Sequence, residues 1–123
     1  MTRRLRSGLL IPACALLLAA CATSSRFEWG DYERALYVYS KKPDARPVYR
    51  EALEKAIAKG RNTKRLAPGL LAELGYLKLE DGDAAGAIAL FEEEMRTFPE
   101  ARPFLNPVVA RIKGASQQAA VES

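Results

Sequence analysis

Residues 68–101, PGLLAELGYLKLEDGDAAGAIALFEEEMRTFPEA, carry two apolar stripes of helical period on either side of a Gly-Asp turn. In the first half Leu70, Leu71, Leu74 and Leu77 fall on one face of a 3.6-residue helix, and Pro68 suits a first helical turn because its missing N–H would have no partner there. A helix from about Pro68 to Asp81 follows. Gly82 can take the positive φ that ends it, and Asp83 is placed to cap the next helix through its side chain. Ala84, Ala87, Ile88, Phe91 and Met95 form that helix's stripe, which stops before Pro99.

The same periodicity extends in both directions. Asp31 is placed to cap a helix from Tyr32 to about Lys42, with Tyr32, Leu36 and Tyr39 on one face and Pro43 as its stop. Asp44 opens a second helix with Tyr49, Ala52, Leu53, Ala56 and Ile57 as its stripe and Glu51–Lys55 as an i,i+4 pair; Gly60 is expected to end it in a left-handed turn. Residues 61–66 read as a polar, basic loop. A short fifth helix starts at Pro103, carries Phe104, Leu105, Val108, Val109 and Ile112, and closes at Gly114 before a polar tail. Nowhere does alternation of period two persist, so the expectation is all-α, with about five helices.

Residues 68–101 resemble a tetratricopeptide repeat, a 34-residue helical hairpin with small and large residues fixed where its helices cross. Leu71, Leu74, Gly75, Gly82-Asp83, Ala87, Ile88, Phe91 and Pro99 carry the resemblance. Gly75 and Ala87 let the backbones approach, and Leu74 and Phe91 fill the crossing. Lys78 and Glu94 depart from the pattern, standing where the family prefers an apolar or aromatic residue and an alanine. Residues 32–60 read as a second, degenerate hairpin. The resemblance implies hairpins stacked in a short right-handed superhelix, with a concave groove lined by Gly69, Ala72, Tyr76, Leu79 and Glu80, joined by Asn106 and Lys113 if the fifth helix continues the register. Arrays of this kind usually need three units to close their core, so the fifth helix at one end and Phe27-Glu28-Trp29-Gly30 at the other are expected to act as caps, unless self-association or a stable partner does the same.

At the amino terminus three arginines precede an uncharged apolar run from Leu9 to Ala20, the layout of a secretory signal and too short for a span of roughly 20 residues. Leu18-Ala19-Ala20-Cys21 resembles the bacterial lipobox. That resemblance implies cleavage before Cys21, a diacylglycerol on its sulfur, and, with Ala22 rather than Asp following, sorting to the periplasmic face of the outer membrane. The expected organisation is residues 1–20 signal peptide, 21–26 lipidated tether, 27–114 helical domain and 115–123 disordered tail. The tether is short, so any partner is expected at the membrane surface. With the lipobox, the run from Phe27 to Glu33 and the aromatic pair Tyr37 and Tyr39 resemble a family of small outer-membrane lipoproteins of unknown function. Its members tend to be encoded beside lipoproteins similar to the curli-secretion pore subunit, which implies a place in an outer-membrane assembly.

Composition narrows the chemistry. The net charge of +4 includes Arg3, Arg4 and Arg6; without them 16 basic residues face 15 acidic ones, interleaved, with no stripe suited to nucleic acid. Histidine is absent and both cysteines, Cys14 and Cys21, lie in or at the end of the targeting segment. No catalytic residue, cofactor or metal site is therefore expected, and no enzyme. Glu92, Glu93 and Glu94 point about 100° apart on a helix and cannot converge on one atom; they read as a solvated face, with Glu92–Arg96 as a surface pair. Trp29, Tyr32 and Tyr37, together with Ala72, Tyr76, Leu79, Glu80 and Asn106 of the implied groove, are the candidate partner-binding residues. The leading expectation is a non-catalytic adaptor binding an envelope protein, such as another lipoprotein. A structural subunit of a homo-oligomeric or secretion-type complex, and an enzyme or small-ligand binder acting on wall fragments, are the alternatives.

Overall fold

A computed structural model describes residues 25–122. The expected signal peptide, Cys21 and most of the expected tether lie outside the described residues. Five helices follow one another: α1 (Tyr32–Lys41), α2 (Arg46–Thr63), α3 (Leu70–Glu80), α4 (Ala84–Thr97) and α5 (Arg102–Val121), with 3-10 turns at Pro43–Ala45 and Pro99–Ala101 leading into α2 and α5. The one extended pairing among the described residues is an isolated parallel bridge between Glu28 and Leu66. No helix among them is long and apolar enough to cross a membrane.

The stripes expected from sequence form the core. Tyr49, Ala52, Leu53, Ala56 and Ile57 of α2 are all buried, as are Leu70, Leu71, Leu74 and Leu77 of α3, and Tyr32, Leu36 and Tyr39 of α1 pack against them with Ala35. A second cluster joins Ala87, Phe91 and Met95 of α4 to Leu105 and Val109 of α5. Phe91, Leu53, Ile57, Leu70 and Leu71 are the largest fully enclosed side chains, each contributing roughly 1.5–3 kcal/mol by leaving water. Packing runs in chain order: α1 on α2, α2 on α3, α3 on α4, α4 on α5.

Several boundaries differ from the sequence reading, each for a local reason. Asp31 makes no side-chain cap bond and instead lies 3.8 Å from Arg34. Pro43 turns the chain into a 3-10 turn, so α2 begins at Arg46 rather than Asp44. Gly60 does not end α2. It is a buried helical residue, and a Cβ there would stand 2.7 Å from the Leu66 Cα, so it admits the returning chain. The left-handed stop falls on Lys64, φ +56°. The chain then enters α3 at Leu70, two residues beyond Pro68. Asp83 caps α4 as expected, accepting from the Gly86 N–H at 2.8 Å, after Gly82 turns the chain at φ +83°. Finally, α5 passes through Gly114 and runs to Val121 rather than giving way to a disordered tail, since Ala and Gln after Gly114 are compatible with a helix.

Candidate functional site

Two carboxylates, the half-buried Glu73 and the buried Glu94, organise the interior. Glu73 of α3 accepts from the Tyr32 hydroxyl at 2.5 Å and from the Tyr49 hydroxyl, tying α1 and α2 to α3. Burial pushes its pKa up, partly opposed by the bond from Tyr32; the Tyr32 phenol is pushed above its ordinary range by burial first and then by the bond and charge of Glu73. Around this knot runs a chain of rings. Trp29 meets Phe27 edge-on at 6.3 Å and Tyr32 at 5.7 Å, Tyr32 lies 6.2 Å from Tyr49, and Tyr49 stacks on Tyr39 at 5.0 Å. Trp29 and Tyr32 are thus half-buried parts of the packing that closes the first hairpin onto α3.

The acidic run of α4 is not a solvated face. Glu92 pairs with Lys113 of α5 at 3.0 Å rather than with Arg96, Glu93 holds Arg61 of α2 at 2.5 Å, and Glu94, 2% exposed, turns inward to the start of α3. Three consecutive residues about 100° apart thereby reach three different helices. Glu94 Oε1 accepts from the Gly69 N–H at 2.6 Å, and Oε2 has no partner at normal hydrogen-bond geometry. Burial raises the Glu94 pKa; the Gly69, Ala72 and Leu71 amides oppose that rise, and the charge of Glu100 adds to it. The carboxylate occupies the positive end of the α3 dipole and supplies a cap that the local sequence does not. The departure of Glu94 from the repeat pattern was its one sequence signal.

The far end of α3 is held from α2. Arg46 donates to the Leu77 carbonyl at 2.9 Å and pairs with Glu80 at 3.2 Å and Asp81 at 2.8 Å, while Arg50 also bonds Asp81. The Arg50 bond, with Arg46 beside it, holds the Asp81 carboxyl below the usual range. Lys78, the other departure from the repeat pattern, reaches the capping Asp83 at 3.0 Å.

The candidate partner-binding residues have unequal exposure. Ala72 and Leu79 are half-buried and pack toward the α4–α5 cluster. Glu80 is engaged by Arg46. Tyr76 is open on one side and meets Phe91 edge-on at 5.0 Å, Asn106 is exposed, and Tyr37 is 66% exposed with Lys41 over its ring. Phe104, expected in the core of α5, is 77% exposed.

Sequence reasoning did not anticipate a groove of about 610 Å³ between the outward faces of α1 and α2. Its floor is Ala35, Val38, Val48, Ala52 and Ala56, and its rim carries Asp31, Arg34, Glu51, Lys55 and Lys59. The rim charges are matched locally: Asp31 by Arg34, Glu51 by Lys55 at 2.6 Å, and Lys59 by Glu28 at 3.1 Å. The signal was present in the alternation of small and charged residues through α2. Ala52 and Ala56 belong to the core and also line the groove. Among the described residues no group of three or more acidic, Cys or His side chains is placed to hold a metal.

A body of five helices packed in chain order, with Glu73 committed to tyrosine hydroxyls and Glu94 to a helix end, is an all-helical domain. The chain belongs to the family described as a domain of unknown function (DUF4810), whose model matches residues 27–108. No curated protein and no solved structure matches it.

Proposed function

We propose that this chain is a lipid-anchored, non-catalytic adaptor that binds another envelope protein, such as a second lipoprotein, at the periplasmic face of the outer membrane. In this reading Cys21 carries the acyl chains, and the hairpins are tetratricopeptide-like units in a short right-handed superhelix. The observation that carries it is the contrast between inside and outside. Glu73 and Glu94 are already engaged in tying helices together, whereas Tyr37, Tyr76 and Phe104 are left exposed, and aromatic rings are the residue type enriched where proteins meet. Affinity purification of the intact protein from gently solubilised membranes should recover a stoichiometric partner, and Tyr76→Ala or Tyr37→Ala should reduce that recovery. Recovery of the chain alone, or a secreted product with an unmodified Cys21, would count against the reading.

A further inference from the structure

We propose that the groove between α1 and α2 is a berth for an acyl chain of the protein's own Cys21, occupied when the protein is away from a bilayer. This rests on the lipid-anchor reading and adds to it a place for the lipid.

Three observations point to that occupant. The groove runs along α2 from Val48 to Lys59, about 17 Å at the rise of a helix, and one leaflet of bilayer hydrocarbon is about 15 Å deep. Its floor offers only alanine and valine side chains, and the rim charges have partners already, so nothing in it needs a hydrogen bond from a ligand. A hydrocarbon chain fits that chemistry. Finally, the amino-terminal segment ends at the mouth of the groove. Gly30 and Lys59 line that mouth, Glu28 pairs with Lys59 and with Arg65, and Arg65 also bonds the Ser25 carbonyl. Cys21 lies four residues before Ser25, a reach of about 14 Å at most. Tethering at that distance makes the acyl chain the most concentrated apolar ligand the groove can meet.

The test uses the intact lipoprotein with a benzoyl-phenylalanine photo-cross-linker at Val48, a groove position that is 58% exposed and so tolerant of replacement. Equal amounts of normal and nitrogen-15 protein are mixed, irradiated after detergent is diluted away, and digested for mass spectrometry. The expected product joins the peptide containing residue 48 to the acylated Cys21 peptide of the same isotope. It should disappear when vesicles are added before irradiation, in the variant Val38→Glu, and when the cross-linker is moved to Phe104. An acylated Cys21 with no such adduct, an adduct of mixed isotopes, or a dimer adduct overturns the groove proposal and leaves the anchor standing. An unmodified Cys21 in the same digest overturns both.

Discussion

A carboxylate enclosed beneath a helix terminus titrates differently from one in water, and Glu94 makes the difference measurable. Its pKa in the folded chain is raised from 4.5, by burial first, so between that value and the folded pKa the folded state holds a proton that the unfolded state has released. The stabilisation from this proton is fully present below 4.5 and is lost as pH rises through the folded pKa. Glu73 acts in the same direction, while Asp81 and Asp83, whose pKa values are lowered, act oppositely and lose their contribution as pH falls. A comparison that cancels these other groups isolates Glu94. The stability of Glu94→Gln relative to the natural protein, read from urea unfolding at several pH values, should be most favourable to the variant near neutrality and should decline as pH falls toward 4.5. A difference that stays flat with pH would show that Glu94 is not enclosed. Within residues 92–94 the departure of Glu94 from the repeat pattern sets it apart, but that departure does not say what its carboxylate meets. The position of the α3 terminus does, which is why the sequence reading assigned all three to solvent.

Elements were the most legible level, because a helix is specified by neighbours along the chain whereas its boundaries answer to neighbours in space. The stripes of α2 and α3 came through residue for residue, and so did the Asp83 cap. Gly60 misled because glycine serves two purposes, ending helices and admitting backbone, and the sequence alone does not say which. Gly75 is the legible counterpart. A Cβ there would lie 2.7 Å from Cε1 of Phe91, a ring with no exposed surface to retreat into. Gly75→Ala should gain about 1 kcal/mol of helix propensity and lose about 1–3 kcal/mol to overpacking. The second effect wins, because the enclosed Phe91 ring has no room to move away from the new methyl. The variant should therefore unfold at lower denaturant than the natural chain, whereas Gly114→Ala, with nothing within 4 Å of the new methyl, should raise helicity without lowering the midpoint. A Gly75→Ala protein as stable as the parent would argue that the two helices stand further apart.

At the scale of the molecule, packing in chain order leaves α5 dependent on one helix interface, whereas α1 packs on α2 and is tied to α3 as well. The α1 end has the Glu73 knot and the ring chain to secure it. The α5 end has Leu105 and Val109 buried, Val108 and Ile112 partly so, and the Glu92–Lys113 pair, which as an exposed ion pair contributes about 0–1 kcal/mol. Beyond Lys113 every described residue of α5 is exposed, so this stretch is helical by its own propensity and not by packing. Such a gradient implies opening in stages. In native-state hydrogen exchange the α5 amides after Lys113 should exchange first, those near Leu105 and Val109 next, and those of α3 last. Truncating Leu105 removes the most enclosed contact of α5, and a buried Leu→Ala change costs about 2–5 kcal/mol. Because α5 packs on α4 and not on α1 or α2, Leu105→Ala should speed exchange in α5 and along the facing side of α4 well before it affects Leu53 or Ile57 in α2. Uniform acceleration through all five helices would mean that the stack unfolds as a single unit and that its two hydrophobic clusters are not energetically separable.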